Sequence, residues 1–212
     1  MYNFENLKIT LEFEKGFCLN EKNPFDAVLA YLYANELKKE GKYNPEKYIE
    51  LPFVKQTNGV YHTSYPIFDE KKAFIDNYVF TKSFDIKLNQ KLGKNKNYKP
   101  DLARGRHKMF LLNLERALVD KVYFYVCGDK TKIKSLLANL THYGKKSSLD
   151  FGRIKRIKVA TVEEDLSLFD KNGNPNRIIP VNVFDNVKSN NVVIKRAKYP
   201  YWERNNREIC YC

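Results

Sequence analysis

The chain has 212 residues, 43% hydrophobic and 14% aromatic, which is enough for a core and too apolar for a disordered chain. Lysine and arginine number 38 against 25 acids, and the resulting +13 favours polyanionic partners: nucleic acid first, an anionic membrane surface second. No apolar run nears the ~20 residues that span a bilayer. The start, MYNFENLKIT, lacks the basic and apolar regions of a secretory signal, so the expectation is a cytoplasmic protein. Four cysteines suit a reducing compartment. Cys127 reads as a buried thiol, and Cys210 with Cys212 forms a lone C-x-C without the second pair that zinc needs. Neither a metal nor another cofactor is expected.

In chain order, Leu7 to Phe13 alternates as a half-buried strand. Asn23-Pro24 opens a helix with Asn23 as cap and Asp26 suited to the dipole. Val28, Leu29, Leu32, Tyr33 and Leu37 form its apolar face, and Gly41 ends it. Asn58-Gly59 signals a tight turn, with Tyr61-His62-Thr63-Ser64 directly after it. A second extended stretch runs from Asn77 to Leu88. Over 87–108 the apolar residues give way to Lys87, Lys91, Lys94, Lys96, Lys99, Arg104, Arg106 and Lys108 against the single acid Asp101. That density repels itself, so the run reads as a disordered or hairpin-like basic arm suited to a phosphate backbone, with a solvated loop as the alternative.

Met109 to Leu118 and Lys121 to Cys127 are structured, and KVYFYVC, apolar on both faces, reads as a central strand. Asp129 caps a helix whose face is Ile133, Leu136, Leu137 and Leu140, and a strand follows over Arg153 to Val159. Strand, helix, strand is the second half of a ferredoxin-like (RRM-like) β-α-β-β-α-β unit, and the strand and helix near the N-terminus supply the first half. The expected class is α+β. Residues 1–160 form the core domain, with the basic arm 87–108 as an insertion. Residues 161–212 form an extension on the same domain, with a hairpin of strands near 178–184 and 192–196 and an aromatic, basic tail.

Between the second helix and the last core strand lies HYGKKSSLDFGR. Gly144 and Gly152 permit close backbone approach, Lys145 and Lys146 bring charge, and Ser147 and Ser148 bring hydroxyl donors. Arg153, Lys155 and Lys158 alternate with Ile154, Ile157 and Val159, which makes one face of the strand basic. Neither the P-loop nor the dinucleotide spacing is present. The composition points to a nucleic-acid backbone.

This loop resembles the glycine-rich loop of the CRISPR-associated RAMP superfamily, and within it the type IV subunit related to the handle-binding subunit of Cascade. Three further stretches agree: the helix PFDAVLAYL, the segment GVYHTSY (Gly59 to Tyr65), and the tail RAKYPYW with a cysteine close behind. The resemblance implies a ferredoxin-like core with a β-hairpin insertion that holds the 5′ handle of a CRISPR RNA in antiviral defence. It implies packing on the backbone subunit of an effector that also contains a large subunit and meets target DNA. Carried over by motif, Gly144, Lys145, Lys146, Ser147, Ser148, Gly152 and Arg153 contact the handle, Tyr61, His62 and Ser64 lie near it, and Arg196, Tyr201 and Trp202 match the tail. The sequence has fewer glycines in this loop than many relatives. Roles for Arg104, Arg106, His107 and Lys108 rest on charge alone.

Two rivals belong to other classes. A metal-independent endoribonuclease would use His62, with Tyr61 and Lys145, for attack by a ribose 2′-OH. A basic interaction protein would mimic a subunit and block the complex without a handle of its own.

Overall fold

A computed structural model describes residues 2–18, 23–69, 71, 73–82, 103–104, 109–145, 147–184, 187–189 and 191–212. The first half contains strands β1 (Phe4–Phe13) and β2 (Phe17–Cys18), helix α1 (Phe25–Lys39), and strands β3 (Gln56–Thr57) and β4 (Val60–Tyr61). Strands β5 (Phe74–Lys82), β6 (Phe110–Leu118) and β7 (Lys121–Asp129), helix α2 (Lys130–Leu137) and strand β8 (Ile154–Thr161) follow. The last part adds β9 (Ile179–Pro180), β10 (Val192–Arg196) and β11 (Arg207–Tyr211). The pairings between these strands are antiparallel, and with the two helices they make the class α+β.

The core sits on one face of the sheet β7-β1-β8. Period-two alternation turns Leu7, Ile9 and Leu11 of β1 and Val122, Phe124 and Val126 of β7 inward. There they meet Phe25, Leu29 and Leu32 of α1 and Ile133, Leu136 and Leu137 of α2. Each such side chain contributes about 1.5–3 kcal/mol on burial. Residues 54–67 line the other edge of β7 through isolated bridges Val54–Gly128, Thr63–Val126 and Ile67–Tyr123. The tight hairpin β3–β4 interrupts this run, with Asn58 and Gly59 at φ 48° and 86° as an Asn-Gly turn requires.

The structure departs from the sequence-based expectation in four places. Asn23 does not cap α1. Pro24 holds that position, and the run at 63–64 supplies the acceptors: Phe25 N–H donates to the Ser64 carbonyl (3.0 Å) and Asp26 N–H to Thr63 Oγ1 (3.4 Å). Strand β5 begins at Phe74 rather than Asn77, because pairing with β6 already starts at Phe74–Leu118; the expected continuation to Leu88 lies outside the described residues. The runs near 178–184 and 192–196 do not pair with each other. Pro180 lacks the N–H that would lengthen β9, and β11 takes the place between β9 and β10, with Cys210 opposite Pro180 on one side and Val193 on the other. Finally, the second face of β7 is covered only at its end, where Cys127 is buried. Lys8, Thr10, Tyr123 and Tyr125 stand half-exposed on that face, with Lys8 Nζ 4.2 Å from the centre of the Tyr123 ring.

Candidate nucleic-acid interface

The loop between α2 and β8 closes on its own backbone. Ile154 N–H donates to the Thr141 carbonyl and Tyr143 N–H to the Gly152 carbonyl, both at 2.9 Å. Tyr143 is the anchor: it is 9% exposed, and its ring lies 5.3 Å from those of Phe17 and Phe124. Burial pushes its hydroxyl well above the ordinary tyrosine range. Gly152 sits at φ 70°, its amide donating to the Gly16 carbonyl, and a Cβ there would fall 1.8 Å from the Tyr143 carbonyl oxygen. Its close approach is to the loop itself. On the outer side, the turn Ser147–Leu149 leaves Ser147 and Ser148 exposed beside exposed Gly144, Lys145 and Arg153. Asp150 is tied up within the loop. Its carboxylate is 3.2 Å from His142 Nε2 and 3.5 Å from Arg153 Nη1, and the His142 hydrogen bond, helped by the Arg153 charge, holds it below the usual carboxylate range. Lys146 lies outside the described residues.

Phe151, which the sequence did not single out, joins this loop to the β5–β6 hairpin. Its ring is 5.1 Å from that of Tyr78, and the Arg116 guanidinium lies 5.0 Å from Tyr78 and 5.4 Å from Phe151. Arg116 Nε donates to Asp76 at 2.8 Å, which fixes the fork over both rings. An aromatic flanked by Asp150 and Gly152 was the available signal. The hairpin leads into the basic arm, of which Arg104 is exposed, while Arg106, His107 and Lys108 lie outside the described residues. On β8 a bulge at Lys155, opposite the step from Glu12 to Phe13 of β1, breaks the simple alternation. It allows Ile154, Ile157 and Val159 all to pack on the core and leaves Lys155, Arg156 and Lys158 exposed. Arg156 and Lys158 both reach Glu12, whose carboxyl is lowered first by the Arg156 hydrogen bond.

The structure brings Gly144, Lys145, Ser147, Ser148, Gly152, Arg153 and Lys155 together and sets Tyr61, His62 and Ser64 apart, beside β7 at the opposite edge from β8. All three are buried. Tyr61 Oη accepts the Leu51 N–H (3.0 Å), and Ser64 Oγ accepts the Tyr125 N–H (2.9 Å). His62 has both ring nitrogens engaged, Nε2 at 2.8 Å from Thr57 Oγ1 and Nδ1 at 3.1 Å from Asp165 Oδ2. Burial raises the Asp165 carboxyl, but hydrogen bonds from His62 and Ser167 outweigh it and hold the group at about 2. A carboxylate lowered in the folded state contributes stability above its unfolded value near 4 and loses it as pH falls towards 2. Discounted for partial exposure, the contribution is about 1 kcal/mol. Asp165→Asn is therefore expected to flatten the acid limb of stability against pH, read as urea midpoints at pH 5 and pH 2.5.

The tail residues divide. Tyr201 donates its hydroxyl to Asp26 and receives a hydrogen bond from Arg177 Nη2 (2.9 Å), so it belongs to a buried polar hub. Arg177 also donates to the carbonyls of Tyr61 (2.7 Å) and Ala197 (2.8 Å) and to Thr63 Oγ1 (3.1 Å). The sequence pattern gives Asp26 only a helix-dipole role and passes over Arg177, although a lone arginine before Ile178 and Ile179 is a usable sign. Arg196 is half-buried and donates from Nε to the Glu203 carbonyl (2.9 Å). Trp202 is 65% exposed, its ring 5.3 Å from that of Tyr199, and offers a free face.

These features define a basic α+β protein with a central antiparallel sheet, two α-helices on one face of it, further small antiparallel sheets and an exposed cationic loop at one end. The chain belongs to the family described as CRISPR type IV associated protein Csf3, whose model matches residues 5–212. It is a component of type IV CRISPR systems, as the resemblance implied at that level. No curated protein matches it significantly. Among the described residues no helix is long and apolar enough to cross a membrane.

Proposed function

We propose that this component is the RNA-binding subunit of a type IV effector ribonucleoprotein, holding the 5′ handle of the guide and packing on the backbone subunit. The observation that carries it is the outer side of the loop. Lys145, Ser147, Ser148 and Arg153 stand exposed together on a turn pinned from inside by Tyr143 and Gly152, and the nearby acids are already occupied, Asp150 by His142 and Arg153 and Glu14 by Arg153. Such a surface offers charge and hydroxyl donors to phosphate at little ordering cost. A ferredoxin-like RAMP core is the fold that goes with this role. Support comes from the order β8, β1, β7 and residues 54–67, with α1 after β1 and α2 after β7. On charge alone, the basic arm, with Arg104, Arg106, His107 and Lys108, supplies further cations for RNA or target DNA. His62, enclosed and hydrogen-bonded at both nitrogens, favours a binder over a nuclease.

Lys145→Glu with Lys146→Glu is expected to weaken short-RNA binding at least tenfold at moderate salt. It should also reduce the slope of log affinity against log salt by roughly 1.4, at about 0.7 per phosphate contact on a single strand. An unchanged slope removes the loop from the interface. Sequencing the RNA that copurifies from the native host tests the handle directly: short RNAs sharing one repeat-derived 5′ end are expected, and random RNA overturns the assignment.

A further inference from the structure

The face of the central sheet opposite the helices leaves Lys8, Thr10, Tyr123 and Tyr125 half-exposed. We propose that it is a second RNA-contact surface, on which Tyr123 and Tyr125 stack unpaired bases while Lys121, Arg156 and Lys158 take the phosphates. The inference rests on the RNA-binding reading but uses none of the loop residues that carry it.

The strand itself carries the first observation. Lys121 to Cys127 reads K-V-Y-F-Y-V-C. In sheets that bind single-stranded RNA, a central strand reads basic, x, aromatic, x, aromatic, valine, and the aromatics project from the open face to stack bases. Strand β7 lies between β1 and residues 54–67, so it is interior to the sheet. Val122 and Phe124 replace the small residues usual at the alternate positions, and both are wholly buried on the helix side. Tyr123 and Tyr125 take the other face and are half-exposed.

Charge is the second observation. Opposite Tyr125 in register is Lys8, and opposite Tyr123 is Thr10. Lys8 Nζ lies 4.2 Å from the Tyr123 ring centre and 6.0 Å from that of Tyr125. A cation already resting on these rings marks faces free to receive a flat, polarisable group, and Lys8 can turn to a phosphate when a base replaces it. Towards the loop end stand Lys121, Arg156 and Lys158, with side chains more than half exposed, around the single carboxylate of Glu12. One acid against these cations leaves the face positive, matched to a strand of phosphates. Glu14 N–H donates to the Arg153 carbonyl (3.1 Å), so the open face and the glycine loop meet at this end.

The test uses a fluorescein-labelled 12-nucleotide oligouridylate and anisotropy titrations from 50 to 300 mM salt. Tyr123→Leu and Tyr125→Leu keep apolar bulk without the ring. Each is expected to lose about tenfold in affinity with the salt slope unchanged, while Tyr123→Phe and Tyr125→Phe retain wild-type binding. Wild-type affinity in the double leucine variant, alongside weakened binding in Lys145→Glu, overturns the sheet proposal and leaves the loop assignment standing. Loss in the leucine variants with no effect of Lys145→Glu does the reverse. A wild-type chain that binds no oligouridylate overturns both, and tenfold tighter binding of oligothymidylate overturns the assignment to RNA. Should the leucine variants fail to fold, photo-crosslinking wild-type protein to 4-thiouridine RNA decides: adducts on the peptide containing Tyr123 and Tyr125 support the proposal, and adducts confined to 141–153 overturn it.

Discussion

Arg177→Met is expected to cost the fold about 3–5 kcal/mol, the usual result of stripping one partner from a buried ion pair. Asp26 and Arg177 are both fully enclosed, and the Asp26 carboxylate would be left with the hydroxyls of Thr63 and Tyr201 against an uncompensated charge. Three further acceptors of the guanidinium, the carbonyls of Tyr61 and Ala197 and the hydroxyl of Tyr201, would lose a donor as well. Domains of this size have about 5–15 kcal/mol in total, so soluble yield should fall with the urea midpoint. Adding Asp26→Leu removes the stranded charge, and the double variant is expected to be more stable than Arg177→Met alone. A midpoint change below about 1 kcal/mol in the single variant would mean that the pair is not what holds the extension down.

Gly152→Ala is the second large effect. Its Cβ would lie 1.8 Å from the Tyr143 carbonyl oxygen, and its φ of 70° is strained for alanine. The contact is to backbone, which cannot swing aside, so either Tyr143 leaves its ring cluster or the loop opens. We expect a loss of more than about 2 kcal/mol and faster hydrogen exchange at the Tyr143 amide. RNA affinity should drop to the level of the lysine reversal, because the exposed turn loses its fixed base. Gly41→Ala is the control: it has φ 69° but nothing within 4 Å, so it bears the backbone strain alone, about 1 kcal/mol.

The sequence revealed those elements whose periodicity and caps act locally. Strands at Leu7 to Phe13 and Lys121 to Cys127, and the helix capped by Asp129, whose carboxylate accepts the Lys132 N–H at 2.8 Å, follow from short-range pattern. Long-range substitutions for local rules were not legible. The acceptors at the start of α1 come from residues 63 and 64, and the place beside β9 is filled from 207–211. The loop's cations could be read from composition, but the use of Gly152 for internal clearance, and of Phe151 as a bridge to the hairpin, depended on partners distant in sequence. The same holds for His62, whose neighbour Asp165 lies 103 residues away. The open face of β7 was misread because tyrosine counts as apolar in a run, although its hydroxyl lets it border water.

Asp26 and Arg177 are 151 residues apart, and Asp26 and Tyr201 are 175 apart. At about 5–20 residues per second, a ribosome needs on the order of ten seconds to deliver Arg177 after Asp26. Throughout that interval the first turn of α1 carries a carboxylate with no cation to receive it, and its burial cannot be completed. Closure of that helix end therefore waits for Arg177 and Tyr201. A nascent chain that stalls before residue 177 keeps an open, incompletely packed helix end, the kind of surface that chaperones and proteases engage, whereas a finished chain closes it.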